Sequence, residues 1–333
     1  MRAIRIIAVL LVTALCLAGA LWNVDLSVAL SALAEAAWIM LLPMWGLYII
    51  AHTLRVVRLG ILIGQPVPFT RLFSINSVGF LAINVIPLRM GELVRPWLLA
   101  EREGVPFGRG MAAIFIERLL DMMMLLLMLL GLTWLVELPE GGLLIEGIDV
   151  IRVGQRLAGF IAGVGTLFGV ALVAIGEPAL SLIARLPLGV PLAAFTRRFR
   201  EGLVSLLARP AQGVLLLGLS ASIWLLTIAA IGVFMTAFPG IPTGLGPAWS
   251  TWSITLSGMA AVPTPGFFGS FELFCSSALW LLWGVDRDLA SAFAIALHMG
   301  QFLFTVGLGA AFLVVEGLSM HDLVRPLSEK PRS

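Results

Sequence analysis

The sequence predicts an all-α polytopic membrane protein made of two inverted repeats, each with three spans and one re-entrant helical hairpin. Three observations carry this. The first is composition: of 333 residues, 60% are hydrophobic and 12% charged, and the mean hydropathy is +1.04, which leaves too little polar surface for a water-soluble domain. The second is the placement of arginine along the chain, which fixes the side of each loop better than the net charge of +2 does. The third is an order of elements, span, span, short broken arm, span, that occurs twice.

Arg2 and Arg5 precede an apolar run that ends at Trp22. Ala18, Gly19 and Ala20 resemble a signal-peptidase site, but the repeat order requires this segment to remain as the first span. Leu15 stands before Cys16 where a lipoprotein signal has a small residue. A second span is predicted from Ala36 to Thr53, closed by Arg55, Arg58 and Arg71, which puts that end in the cytoplasm and starts the chain inside. The next apolar arm, Leu72 to Ile86, has 15 residues. As a helix it covers roughly 22 Å of a hydrocarbon core of about 30 Å, so it enters the bilayer without crossing it. Directly after it, in INVIPLRMGELVR, come Arg89, Glu92 and Arg95, charges that are costly at such a depth unless a site or a water-filled opening holds them. A long apolar stretch from Met111 to Val136 then carries Glu117, Arg118 and Asp121. A span of ordinary length places Glu117 and Arg118 at its cytoplasmic edge and Asp121 about 6 Å inside. Arg118 and Asp121 are three apart, so a self-neutralised pair on one helix face is the plain alternative to a binding role.

The acidic loop from Glu137 to Asp149 suits the outer side. A span from about Leu157 to Gly176 returns the chain to Arg185, Arg197, Arg198, Arg200 and Arg209, a Pro-interrupted stretch that reads as interfacial helices. Ala211 to Phe238 is the next span. The 35 residues from Trp249 to Trp283, broken at VPTPGFFGSFE, are short for two passes and fit a second hairpin. The last span, Ala290 to Val315, precedes a tail with Arg325, Lys330 and Arg332. On this layout 15 of the 21 Lys and Arg lie inside; making the Leu72 arm a full crossing would put the five arginines from 185 to 209 outside. Residues 1–137 thus form a first repeat, 152–316 a second and inverted one, and 317–333 a cytoplasmic tail, all within one membrane domain. Inverted repeats with broken elements meeting near the midplane are a transporter architecture.

Three motifs stand out: P-x-R-x-G-E-x-x-R at Pro87, Arg89, Gly91, Glu92 and Arg95; E-R-x-x-D at Glu117, Arg118 and Asp121; and P-x-P-G-x-x-G-x-x-E at Pro263, Pro265, Gly266, Gly269 and Glu272. In this order and spacing the chain resembles the transmembrane region of lysylphosphatidylglycerol synthases, the flippase-like membrane proteins, over nearly its whole length. Phe267 departs from the pattern where a second glycine is common, and nothing in the 333 residues resembles the soluble aminoacyl-transferring half. The resemblance implies lipid handling and no lipid aminoacylation; the expected location is a bacterial inner membrane, and the arginine placement puts both termini in the cytoplasm.

The residue chemistry is compatible with that implication. Guanidinium groups present a planar fork of donors suited to phosphate, so Arg89, Arg95 and Arg118 are candidates to bind a lipid headgroup, with Glu92, Glu117 and Asp121 orienting them or carrying a proton. Pro87 and Gly91, with Pro263, Pro265, Gly266 and Gly269, are the candidate hairpin and gating positions. Glu272 lies about 17 Å along a helix from Trp283, deep in the membrane, and its own hairpin offers no cation, which makes it the proton-carrying candidate. Cys16 and Cys275 lie in separate apolar segments, and His52, His298 and His321 form no metal motif, so neither a metal nor a cofactor is expected. The leading reading is a flippase for an anionic lipid or a polyprenyl-phosphate-linked headgroup. The second is an accessory protein that binds such a lipid for a separately encoded lipid or glycan enzyme. An integral-membrane transferase ranks third, as no nucleotide-binding motif is present; no catalytic residue and no nucleic-acid partner are expected.

Overall fold

The computed structural model describes residues 2–86, 91–135, 210–319 and 322–323, with single or paired positions between 144 and 204. Ten α-helices are described: α1 (Arg2–Ala20), α2 (Leu26–Glu35), α3 (Leu41–Ile63), α4 (Phe69–Val85), α5 (Val94–Glu103), α6 (Phe107–Leu135), α7 (Pro210–Met235), α8 (Leu245–Ala261), α9 (Ser270–Trp283) and α10 (Arg287–Val315). The chain is an all-α membrane protein. Among the described residues four stretches are long and apolar enough to cross a bilayer: Trp38–Ile63, Ala211–Met235, Pro265–Trp283 and Arg287–Val315. The expected span at Leu157–Gly176, the interfacial stretch from Arg185 to Arg209, and Pro87 and Arg89 fall mostly or wholly outside the described residues.

Several boundaries differ from the expectation, each for a physical reason. The second span does not close at Thr53 but runs on to Ile63, because Arg55 and Arg58 are not flanking charges; Arg58 is only 1% exposed and is neutralised inside the bundle. Helix α6 begins at Phe107, so Glu117 sits about 15 Å along it, within the packed part and not at an edge. Helix α2, which the sequence reading left unassigned, is capped by Asp25, whose carboxylate accepts from the Ser27 amide at 2.8 Å. The Asp25 amide in turn donates to Asp288 at the start of α10. The second hairpin starts at Leu245, and Pro265–Trp283 is by length and composition sufficient for a crossing, although α9 itself has 14 residues. In the acidic loop, Leu144–Ile145 and Ile148–Asp149 form a two-residue antiparallel ladder.

The packing follows a rule that exchange of the two halves preserves. Helix α3 runs along α7; α4 packs on α10 while α8 packs on α6; α5 packs on α6 while α9 packs on α10. Each hairpin, α4–α5 and α8–α9, therefore rests on the last helix of the other half. The mouths of the hairpins lie at opposite ends of α10. Arg71 at the start of α4 bonds both Glu103 at the end of α5 and Glu316 just past the end of α10, each at 2.8 Å. The other mouth, where Trp283 of α9 donates to Ser250 of α8, lies beside the start of α10. Phe234, Phe238 and Phe293 are each in ring contact with the other two within the second half, while Trp38 on Phe238, Tyr48 on Phe304 and Phe73 on Phe312 make aromatic contacts across the halves, as expected where lipid removes the hydrophobic driving force and close van der Waals fit must hold helices together.

The first hairpin can fold back only because position 91 lacks a side chain: a Cβ there would meet the carbonyl carbon of Ala82 at 2.3 Å. Gly91→Ala is expected to cost about 1–3 kcal/mol through forced displacement of that backbone. Gly218→Ala, in open space on α7, is expected to change stability by no more than about 0.5 kcal/mol. Thermal unfolding in detergent of the two variants against the parent measures the contrast.

Candidate functional site

A buried ionic network joins five helices. Arg95 of α5, fully buried, donates to Glu117 of α6 at 2.7 Å and to Asn76 of α4 at 3.1 Å. Arg58 of α3 donates to Asp121 of α6 at 3.0 Å and to Ser220 of α7 at 2.9 Å, with its Nε 3.7 Å from Glu117. Arg118 closes on Asp121 within its own helix at 3.3 Å, the pairing that the spacing of three allowed. Glu92 lies near enough to act electrostatically on both Arg95 and Arg118. Arg58, Arg95 and Arg118 are thus ion-paired with Glu117 and Asp121, and Glu92 and Arg55 lie within electrostatic reach of them.

Five of the six residues expected at a shared polar centre, Glu92, Glu117, Asp121, Arg95 and Arg118, are brought together, while Arg89 lies outside the described residues. The carboxylates hold the arginines as expected, while Nε and Nη2 of Arg95 and Nε of Arg118 have no hydrogen-bond partner among the described residues. The sequence reading missed Arg58, Asn76 and Ser220. The available signal was arithmetic, since Glu117 and Asp121 on one span require more positive charge than Arg118 supplies.

Beside the network lies a cavity of about 180 Å³, more than ten times the roughly 15 Å³ that one water needs. Its walls come from both halves and include Tyr48, His52 and Arg55 of α3, Phe80 and Asn84 of α4, Trp252 of α8, and His298 and Gln301 of α10. None of Arg95, Glu117, Arg118 and Asp121 lines it. Phe80 separates the two regions: Arg95 lies 5.3 Å from its ring centre and Arg55 5.8 Å. The polar wall is otherwise tied down, with His52 bonded to Ser77 at 2.9 Å and Gln301 donating to the Tyr48 hydroxyl at 2.6 Å.

The tip of the second hairpin forms one side of this space. Gly266 and Phe267 are both left-handed, at φ +58° and +62°, and a Cβ on Gly266 would come 3.3 Å from the Asn84 carbonyl oxygen of the first hairpin, so the two tips adjoin. For Phe267, the residue that departs from the glycine pattern, this backbone costs roughly 1–2 kcal/mol. Glu272 holds the turn in two ways. One carboxylate oxygen accepts from the Gly269 amide at 2.7 Å, and the other meets Nδ1 of His298 at 2.5 Å. Nε2 of His298 bonds the Gly266 carbonyl at 3.0 Å, and its ring stacks on Phe271 at 4.4 Å. A carbonyl only accepts, so Nε2 bears a hydrogen, and a further proton must lie between Nδ1 and Glu272. The hairpin of Glu272 offers it no cation, as expected; its partner comes from α10, where His298, invisible at the level of local spacing, meets its carboxylate.

A helical bundle with interdigitated hairpins, a buried ionic centre and an adjoining mixed aromatic and polar cavity defines a polytopic integral membrane protein. A family model described as the lysylphosphatidylglycerol synthase TM region matches residues 5–309, and the chain belongs to that family. Neither the curated proteins nor the solved structures yielded a match.

Arg58→Met is expected to lower stability by about 3–5 kcal/mol, because it strands Asp121 and Glu117 in the interior with too few cations. Arg71→Met, at a side chain 38% exposed, is expected to cost no more than about 1 kcal/mol. Thermal unfolding in detergent distinguishes the two.

Proposed function

We propose that this protein is a lipid transporter of the flippase kind, moving a lipid with an anionic, phosphate-bearing headgroup between the leaflets of the cytoplasmic membrane. The observation that carries the reading is the position of the cavity: it lies where the tips of two hairpins adjoin, and those hairpins open at opposite ends of α10. A transporter has to expose one site to each side in turn, and oppositely opening hairpins supply an inner and an outer gate. In this reading residues 1–137 and 152–316 are inverted repeats, both termini are cytoplasmic, and no residue is catalytic.

The His298–Glu272 contact serves as the fastener of the outer gate. With its proton in place it ties α10 to both glycines of the turn; without it, a lone pair on Nδ1 faces a carboxylate oxygen. Proton movement through this pair would then accompany opening. The accessory reading, in which the lipid is held for a separate enzyme, draws on the family description, which attaches this kind of membrane region to a synthase.

Reconstituted protein is expected to raise the transbilayer rate of a fluorescent phosphatidylglycerol at least tenfold over empty liposomes. Tight binding without movement, with and without a proton gradient, favours the accessory reading. Glu272→Gln retains a hydrogen-bonding group for both His298 and Gly269, so it is expected to fold normally while its transport no longer responds to an imposed pH gradient. For orientation, cysteine at exposed Glu101 should react only with reagent on the cytoplasmic side, and cysteine at exposed Thr243 only from outside; the reverse pattern inverts the topology.

A further inference from the structure

We infer that the cavity is closed on the cytoplasmic side by the seam between α4 and α10, fastened at its mouth by a salt-sensitive ionic clasp centred on Arg71, and that this gate is shut in the structure. The inference rests on the reading above for its sidedness, while a seam that admits water to the cavity applies equally to a protein that binds without transporting.

The seam can be followed from the mouth inward. At the mouth, Arg71 donates from Nε to Glu103 at 2.8 Å and from Nη1 to the two oxygens of Glu316 at 2.9 and 2.8 Å. Arg102 lies 3.7 Å from the same Glu316 carboxylate. One guanidinium thereby ties the start of α4 to the end of α5 and the end of α10. One step in, the rings of Phe73 and Phe312 meet at 5.3 Å, and Phe73 also meets His52 at 4.8 Å. His52 and its bonded partner Ser77 already line the cavity. Gly309 lets the two helices close here, since a Cβ on it would come 2.7 Å from the Ser77 carbonyl oxygen. An ionic layer, an aromatic layer and a backbone contact stand in sequence between the mouth and the cavity.

Three features mark the clasp as a contact made to break. Each of its main charges sits at the helix end of its own sign: Arg71 in the first turn of α4, where the macrodipole is positive, Glu103 as the last residue of α5 and Glu316 just past α10, where it is negative. None of the three helps its own helix, and each is compensated by partners on other elements. The Arg71 side chain is also 38% exposed, so water can take over its bonds, and pairs of this kind add little to folding stability. Arg95 in the deeper network, at 1%, has no such exchange open to it. The bond across the opposite mouth, from Trp283 to Ser250, joins neutral groups. Salt therefore weakens the inner closure and spares the outer one, because raising ionic strength from about 0.1 to 1 M shortens the screening length from about 10 to 3 Å.

The test is the reaction of a cysteine in the cavity wall, Thr305→Cys, with a membrane-impermeant thiosulfonate, on the full chain in liposomes with Cys16→Ala and Cys275→Ala removing the native thiols. The cytoplasmic side is the one from which Glu101→Cys reacts in a separate sample. Glu316→Gln is expected to raise the rate at Thr305→Cys from that side at least fivefold, and about 1 M potassium chloride to raise the rate without Glu316→Gln at least twofold. Trp283→Phe should leave the rate from that side unchanged. A smaller gain in Glu316→Gln, an equal gain from the outer side, or a rate indifferent to salt overturns the inference. Should Glu316→Gln fail to fold, Arg71→Gln breaks the same contact at an exposed side chain and decides in its place. Movement of fluorescent phosphatidylglycerol separates this inference from the transport reading. Opening as expected with no lipid movement removes the transport reading and leaves the clasp, whereas lipid moving at the parent rate while Phe73→Cys and Phe312→Cys are cross-linked does the opposite.

Discussion

The pairing of Glu117 with two arginines, a 2.7 Å bond from Arg95 to one oxygen and a longer 3.7 Å ion pair of Arg58 with the other, is the constraint on which the rest of the molecule depends. Charges in a membrane interior are tolerated when they are paired, and the pairing here draws α3, α5 and α6 to one point, with Asn76 of α4 and Ser220 of α7 each accepting one further bond. Removing any one member leaves a charge uncompensated. The network therefore acts as a positional lock: it sets the first hairpin against α6 and keeps α3 at the depth where His52 and Arg55 reach the cavity.

Around this lock, the hairpins are exchanged between halves. With α4 on α10 and α8 on α6, neither half completes its own core, and glycines allow the close approaches at these crossings. At Gly309 of α10 an added Cβ would lie 2.4 Å from Leu81 of α4. Small residues at such crossings are the membrane equivalent of a packed hydrophobic core. Helix α10 becomes the common spine, tied to the first hairpin by Glu316 at one end and to α2 by Asp288 at the other, with His298 holding the second hairpin between them.

The two polar regions differ in electrostatic character. In the network every cation has a carboxylate; in the cavity one cation has none and the walls are largely aromatic. Phe80 adjoins both, with its ring centre 5.3 Å from the Arg95 guanidinium and 5.8 Å from that of Arg55. The left-handed Phe267 at the cavity wall shows backbone strain retained where the second hairpin turns, which is where a moving element would have to bend.

The sequence by itself determined the class, the helical content and the family, because apolar runs set by bilayer thickness and charges expelled from lipid leave a one-dimensional record. It also marked Glu92, Arg95, Glu117, Arg118 and Asp121 as belonging together, since isolated charges in apolar segments are too costly to be incidental. It could not assign their partners. Arg58 looked like a flanking charge because its neutralising groups are 59 and 63 residues away, and Glu272 looked solitary because His298 comes from another helix. Only the tertiary structure decided which arginine was left over. That depends on the sum of pairings across five helices, and a surplus charge has no local signature: Arg55 and Arg58 are three residues apart in the same helix, yet one is consumed by the lock and the other faces the cavity.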